Sequence, residues 1–211
     1  MSFVDKSCVE FSEALASKAP VPGGGGASAL VGALGAALGS MVCNLTLGKK
    51  AYRNVEEDVR FILSSTERVR QRMLALVDED AVVFEPLAKA YGIKAETPEE
   101  MADKQEIMET CLKQAATVPQ EIVREALSCL EVLEDLAGKG SKLAISDVAV
   151  GGALCKAALE GGRFNVIINT SLMKDRPYAD GLDSEVNGLV SRGKALADRV
   201  VAVVEQRMRK S

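Results

Sequence analysis

An all-α fold, a single-domain bundle of about six to eight helices spanning residues 1–211, is predicted by three features of the sequence. The first is Pro20 to Asn44, PVPGGGGASALVGALGAALGSMVCN, which reads as a central helix built from small residues. The second is a 4-3-4-3 apolar spacing from Val55 to Leu87, the seam of a long packed helix. The third is continuity: no linker, internal repeat or low-complexity tract divides the chain, and 47% apolar residues suffice for one core.

Taken in order, Ser7 and Glu10 have the spacing of a capping box and start a short helix predicted to reach Lys18. Pro20 and Pro22 end it. In the run that follows, Ser28, Gly32, Ala36 and Ser40 form one small stripe at helical spacing, and Ala29, Ala33 and Ala37 a second. Leu30, Leu34, Leu38 and Val42 make the one bulky ridge. Interior glycines cost about 1 kcal/mol each relative to alanine, so close packing on nearly all sides is expected to compensate. Ala27 to Cys43 is the one candidate membrane span, and it falls short of the ~20 residues required.

Gly48 is a helix stop, followed by the basic cluster Lys49, Lys50 and Arg53. The seam then runs Val55, Val59, Ile62, Thr66, Val69, Met73, Leu76, Asp80, Val83 and Leu87. Asp80 is the misfit. A carboxylate in an apolar seam is either a polar register device, water-facing beyond a bend at Pro86, or an acid–base group whose pKa burial raises. Gly92 closes this helix, and Thr97-Pro98-Glu99-Glu100 opens another. Pro119 kinks or divides that helix, Thr117 is placed to cap its second half, and Gly138 is the expected stop. Ser146-Asp147 reads as a helix start. Gly161-Gly162 weakens that helix, and residues 164–168 fit a short strand or a helical continuation. If helical, Asn165 and Asn169 share a face. The last helix is predicted over Asp183 to Met208.

Composition narrows the function. A net charge of −4, few aromatics and no tryptophan argue against nucleic acid as a partner. With no histidine and no CxxC among five cysteines, neither structural zinc nor a Ser/His or Cys/His nucleophile fits. The scattered cysteines and the absence of a signal-peptide pattern predict a reducing cytoplasm, with no membrane association. Acid–base work would fall to Asp, Glu, Lys, Tyr or Cys. The glycine run at a helix start can bring backbone N–H groups close to an anion or a carbonyl. It is neither a Walker loop nor a dinucleotide fingerprint.

PVPGGGGASALVGALGAALGSMVCNLTLGKK, VDEDAVVF, SKLAISDVAVGGALCKAALEGG and NVIIN together resemble the formiminotetrahydrofolate cyclodeaminase family, which includes stand-alone methenyltetrahydrofolate cyclohydrolases. The motifs cover essentially the whole chain in order, with four glycines where the family motif usually has three. The resemblance implies an all-helical homodimer acting on a reduced folate, with no other cofactor and no metal. The activity would be cyclodeamination of 5-formiminotetrahydrofolate or hydrolysis of 5,10-methenyltetrahydrofolate. On this reading Asp80 is the acid–base group and Asp147 the second candidate, with a plain N-cap as its alternative. Gly23, Gly24, Gly25, Gly26 and Ser28 would hold the pterin amide or a carboxylate. Asn44, Asn165 and Asn169 would hydrogen-bond the pterin, and Lys49, Lys50, Arg53 and Lys142 would attract the glutamate tail. The non-enzyme alternative is a helical folate-binding or dimerisation module.

Overall fold

The computed structural model describes residues 2–210, and among these all regular structure is helical. Seven α-helices follow one another: α1 (Cys8–Leu15), α2 (Gly24–Asn44), α3 (Glu56–Tyr91), α4 (Pro98–Ala115), α5 (Thr117–Lys139), α6 (Ile145–Thr170) and α7 (Arg176–Arg209). Two 3₁₀ turns, Lys50–Val55 and Lys142–Ala144, precede α3 and α6.

α2 is the axis of the bundle, packed on α3, α5 and α6. Its small residues are what allow this. A Cβ at Gly32 would sit 2.7 Å from Met73 Cε, one at Gly39 2.8 Å from Leu133 Cδ2, and one at Gly35 2.9 Å from the Gly151 carbonyl of α6. The helix is 21 residues long, so it does meet the length for a membrane span, contrary to the expectation from Ala27–Cys43. More than half of its most apolar window is nevertheless buried against the other helices. The expected burial on nearly all sides is also corrected. The small stripes face inward, whereas Leu34, Met41 and Leu45 are exposed. Only small residues permit helix axes to approach this closely, so Leu34 and Met41 stand on the open side, while Val42 at the end of the ridge is buried against Gly140.

The seam of α3 is buried from Val59 through Leu76 and again at Leu87. α3 continues through Pro86 to its cap at Gly92, and Asp80 is turned to the α2 entrance and not to water. The capping boxes at Ser7 and Thr97 are both formed. Other boundaries shift. α1 ends at Leu15. Ala116 precedes α5, and the Thr117 hydroxyl donates to the Gln114 carbonyl instead of capping. α5 runs past Gly138 to Lys139, because the close approach is at Gly140, where a Cβ would lie 2.9 Å from Val42 Cγ1.

α6 starts at Ile145, which puts Asp147 in its first turn beside the positive end of the helix dipole. It passes through Gly161-Gly162 without interruption. Those glycines admit Ser28 on one side and Val123 on the other, with would-be Cβ contacts of 2.1 and 2.9 Å. Residues 164–168 are therefore helix. α7 begins at Arg176, where Asp175 accepts from the Tyr178 amide and Pro177 occupies the first turn.

Candidate active site

The α2 entrance, the C-terminal third of α3, the α4–α5 junction and the end of α6 enclose a cavity of about 230 Å³. Gly23, Gly24, Gly25, Asp80, Asn165 and Asn169 line it together with Phe84, Leu87, Tyr91 and Pro119. Helical spacing explains the α3 wall: Asp80, Phe84, Leu87 and Tyr91 recur at three and four residues.

Asp80 meets α2 at its positive end. Its Oδ2 accepts from the Gly26 amide at 2.9 Å, so a carboxylate on α3 caps α2. Glycine is required here by contact: a Cβ at Gly25 would lie 2.1 Å from Asp80 Oδ1. Two opposing effects act on this carboxyl. Burial among apolar side chains disfavours its charge, and the Gly26 hydrogen bond favours it. Burial is the larger, and the pKa lies above the ordinary aspartate value of 3.8.

The opposite wall is amide. Asn165 Nδ2 donates to the Gly161 carbonyl at 2.8 Å, and Asn169 Nδ2 to the Asn165 carbonyl at 2.7 Å. With the NH₂ groups held by backbone one turn back, the side-chain oxygens remain as acceptors. The site thus combines one carboxyl of raised pKa, backbone N–H groups at a helix start, two amide acceptors and an apolar floor. That set can bind a flat heterocycle bearing N–H donors and move a proton beside it.

The structure separates the other sequence candidates from this cavity within one subunit. Ser28 donates to the Gly24 carbonyl at 2.6 Å and packs on Gly161, one turn inside the bundle. Asn44 lies at the far end of α2, about 30 Å along the axis. Lys49, Lys50, Arg53, Lys142 and Asp147 surround that same far end, since α6 runs antiparallel to α2 and Asp147 is in its first turn. There Lys49 Nζ donates to Ser141 Oγ at 3.2 Å, and the Lys142 amide to the Tyr52 hydroxyl at 2.9 Å. Sequence reasoning missed Phe84, Tyr91 and Pro119. The first two were readable as positions four and eleven after Asp80 on one helix face; Pro119 comes from a helix whose placement only tertiary structure sets.

Comparison with known proteins bears on this geometry. The formiminotransferase-cyclodeaminase family pattern matches residues 7–188. The chain belongs to this family. A methenyltetrahydrofolate cyclohydrolase of Methylorubrum extorquens is 37% identical over 198 residues, covering 94% of this chain and 95% of that one. The mouse formimidoyltransferase-cyclodeaminase is 29% identical over 206 residues, and this chain spans 38% of its length. A crystal structure of formiminotetrahydrofolate cyclodeaminase from Thermotoga maritima superposes with a TM-score of 0.85 at 30% identity, covering 95% of this chain and 96% of that one. The family fold is therefore the all-helical bundle described above.

Proposed function

We propose that this chain hydrolyses 5,10-methenyltetrahydrofolate to 10-formyltetrahydrofolate, with Asp80 as the acid–base group. The observation that carries the reading is the Asp80 carboxyl, held by the Gly26 amide at the wall of a cavity that fits one end of a pterin-like ring. Similarity along nearly the full length of both chains to a cyclohydrolase supports this choice of reaction.

The methenyl carbon is electrophilic because it is shared by N5 and N10 of an amidinium-like cation. An ionised Asp80 beside it stabilises that cation and accepts a proton from attacking water, giving a tetrahedral carbon. The same carboxyl then returns the proton to N5 as the C–N5 bond breaks. The second water proton leaves to solvent as the formyl carbonyl forms. Burial brings the carboxyl pKa closer to neutrality, which suits a group that must both take and give a proton. Asn165, Asn169 and the Gly24 and Gly25 amides would orient the ring.

A second reading, cyclodeamination of 5-formiminotetrahydrofolate, is favoured by the match to the Thermotoga maritima cyclodeaminase. There N10 would attack the formimino carbon, and Asp80 would pass the N10 proton to the departing ammonia. One assay separates the two. Methenyltetrahydrofolate has a near-ultraviolet band. Its enzyme-dependent decay is the expected result, growth of the band from the formimino substrate with ammonia release selects the second reading, and neither change would refute both.

We also read the protein as a homodimer in a reducing cytoplasm. The exposed apolar side of α2 supports the first and five unpaired cysteines the second.

A further inference from the structure

We propose that Asp78 is a positioning residue of the site: it latches residues 2–22 as a strap over α3, and the Pro20–Val21 end of that strap is the wall of the Asp80 cavity that opens to admit ligand and closes behind it. The strap and its latch are read from contacts alone; the substrate of the kinetic test rests on the folate reading.

The two aspartates of VDED, half a turn apart on α3, hold the N-terminal segment at its two ends. Asp78 takes the start: Oδ1 accepts from the Phe3 amide and Oδ2 from the Ser2 hydroxyl, each at 2.6 Å. Asp80 takes the finish, through the Gly26 amide. Between these points the segment is loosely held. α1 buries one side chain, Phe11, on which the Phe3 ring packs edge-on with centroids 6.5 Å apart. Val9 is 65% exposed, and every residue from Leu15 to Pro20 is exposed. Among the described residues, no hydrogen bond or ion pair ties residues 8–22 to another helix. Segments with few buried contacts are those that open locally, and the lids of binding sites are drawn from them.

Val21 is the point at which such opening reaches the site. On one side it lines the Asp80 cavity. On the other it lines a groove of about 370 Å³ with Ser2, Phe3, Asp78, Ala81 and Val82. The strap therefore partitions one trough along α3 into the cavity and an outer groove. The cavity alone, about 230 Å³, is smaller than the roughly 300–1,000 Å³ that holds a drug-sized ligand, so a wall must withdraw for such a ligand to pass. The other walls belong to helices packed into the bundle, which cannot withdraw without opening its core. Pro20–Val21 can withdraw, and the Asp78 bonds at the far end of the strap oppose it.

Asp78 does not line the cavity, so it acts on a ligand only through the strap. That gives it a kinetic signature. Losing the latch lowers the population of the closed form, and a ligand that needs the closed form then binds more weakly. Ground state and transition state lose the same contact with the wall, so KM rises while kcat is kept.

Three variants test this on methenyltetrahydrofolate. Asp78→Ala removes both acceptors, Asp78→Asn keeps an oxygen for the Phe3 amide, and Ser2→Ala removes one donor without altering α3. Hydrogen bonds to a charged group are strong enough that Asp78→Ala should raise KM about tenfold or more, with kcat within about threefold of the parent. Ser2→Ala should raise KM by less, and Asp78→Asn should recover most of the loss. A fall in kcat with KM unchanged, or an Asn variant no better than Ala, would overturn the role of Asp78.

Hydrogen exchange read by mass spectrometry tests the strap without activity. In ligand-free protein, the α1 amides should exchange about tenfold faster or more in Asp78→Ala than in the parent, with α5 and α7 unchanged. Equal α1 exchange in the two would overturn the latch. Where the parent turns over methenyltetrahydrofolate, 10-formyltetrahydrofolate should slow exchange across residues 8–22, and no slowing would overturn the strap as a lid. If the parent leaves the methenyl band unchanged while Asp78→Ala still frees α1, the folate reading fails and the latch stands.

Discussion

Gly25→Ala is the most specific test of the Asp80 assignment. The added Cβ would sit 2.1 Å from Asp80 Oδ1, 2.5 Å from Cγ and 2.6 Å from Oδ2. An ordinary carbon–oxygen contact is no closer than about 3.3 Å, so the carboxylate must retreat by about 1 Å. That breaks its 2.9 Å bond from the Gly26 amide. A charge-assisted hydrogen bond is worth about 1.5–3 kcal/mol, and a 1 Å misplacement of a reacting group costs about 100-fold. Both routes give a fall in kcat of about two orders of magnitude. Stability should scarcely move, since the alanine gains about 1 kcal/mol of helix propensity while loss of the cap removes about as much.

The assay is methenyl decay beside a thermal melt, with Gly188→Ala as the control. Gly188 lies on the exposed side of α7, and a Cβ there meets nothing within 4 Å. The control should keep full activity. Gly24→Ala, whose Cβ meets only the Asn165 amide at 3.2 Å, should lose less than Gly25→Ala. If Gly25→Ala retains kcat within about threefold, the position of Asp80 at the α2 entrance is not part of the chemistry, and the argument for it as acid–base group fails.

Other expectations follow from single contacts. Asp80→Asn should lower kcat by about 10²–10⁴-fold. It should also abolish the acid limb of the pH–rate profile, which in the parent enzyme falls above the ordinary aspartate value of 3.8 because burial raises this pKa. The same shift gives a sign for stability. The fold favours protonated Asp80, so ionisation imposes a cost absent at low pH, growing from about pH 3.8 up to the raised native pKa and constant beyond. Chemical denaturation across pH should thus show the Asn variant gaining on the parent through that window, and a pH-independent difference would contradict burial of the charge. Gly193→Ala would place a Cβ 2.4 Å from Leu159 Cδ1 in the core, and overpacking of about 1–3 kcal/mol should appear as a lower Tm with activity at moderate temperature retained. Thr66→Val removes the acceptor of the buried Ser40 hydroxyl, now 2.9 Å away, and should cost about 1–3 kcal/mol in urea denaturation. Adding Ser40→Ala should recover part of that loss.

How far the sequence could be read depended on whether a signal was local. The all-α class, the small-residue axis, the α3 seam, the capping box at Ser7 and the helix start at Thr97 are local patterns, and the structure has each of them. Asp80 stood out because one polar residue interrupted a periodic apolar row. The start of α7 was predicted at Asp183, although Asp175 and Pro177 form an ordinary start signal at Arg176 and Gly181 lies inside the helix. Gly181 has no packing role that a Cβ would disturb, so its presence did not mark a boundary. Gly161 and Gly162 misled in the opposite sense: they are contact points with α2 and α5, and composition does not distinguish a glycine that ends a helix from one that seats a neighbour. What no local pattern carries is which end of a helix meets which. Asn44 and Lys49 follow the glycine entrance closely in sequence, yet a continuous helix puts about 30 Å between them.

That separation explains why one helix has two kinds of small residue. At the entrance, Gly25 is small so that a carboxylate from α3 can reach the Gly26 amide. Along the body, Gly32, Gly35 and Gly39 are small so that Met73, the Gly151 carbonyl and Leu133 can close on the axis. The second set creates the rigidity that the first requires. A carboxylate displaced by 1 Å loses its hydrogen bond, and α2 and α3 stay in register only because their contacts along Gly32 and Gly39 admit no slack. Interior glycines that weaken an isolated helix by about 1 kcal/mol each thus stabilise the site through packing. Substitutions at Gly32 or Gly39, neither of which lines the cavity, should consequently reduce kcat by moving Asp80 and not only reduce stability. If such variants melt early but keep the parent kcat while folded, the coupling between axis packing and site geometry is refuted.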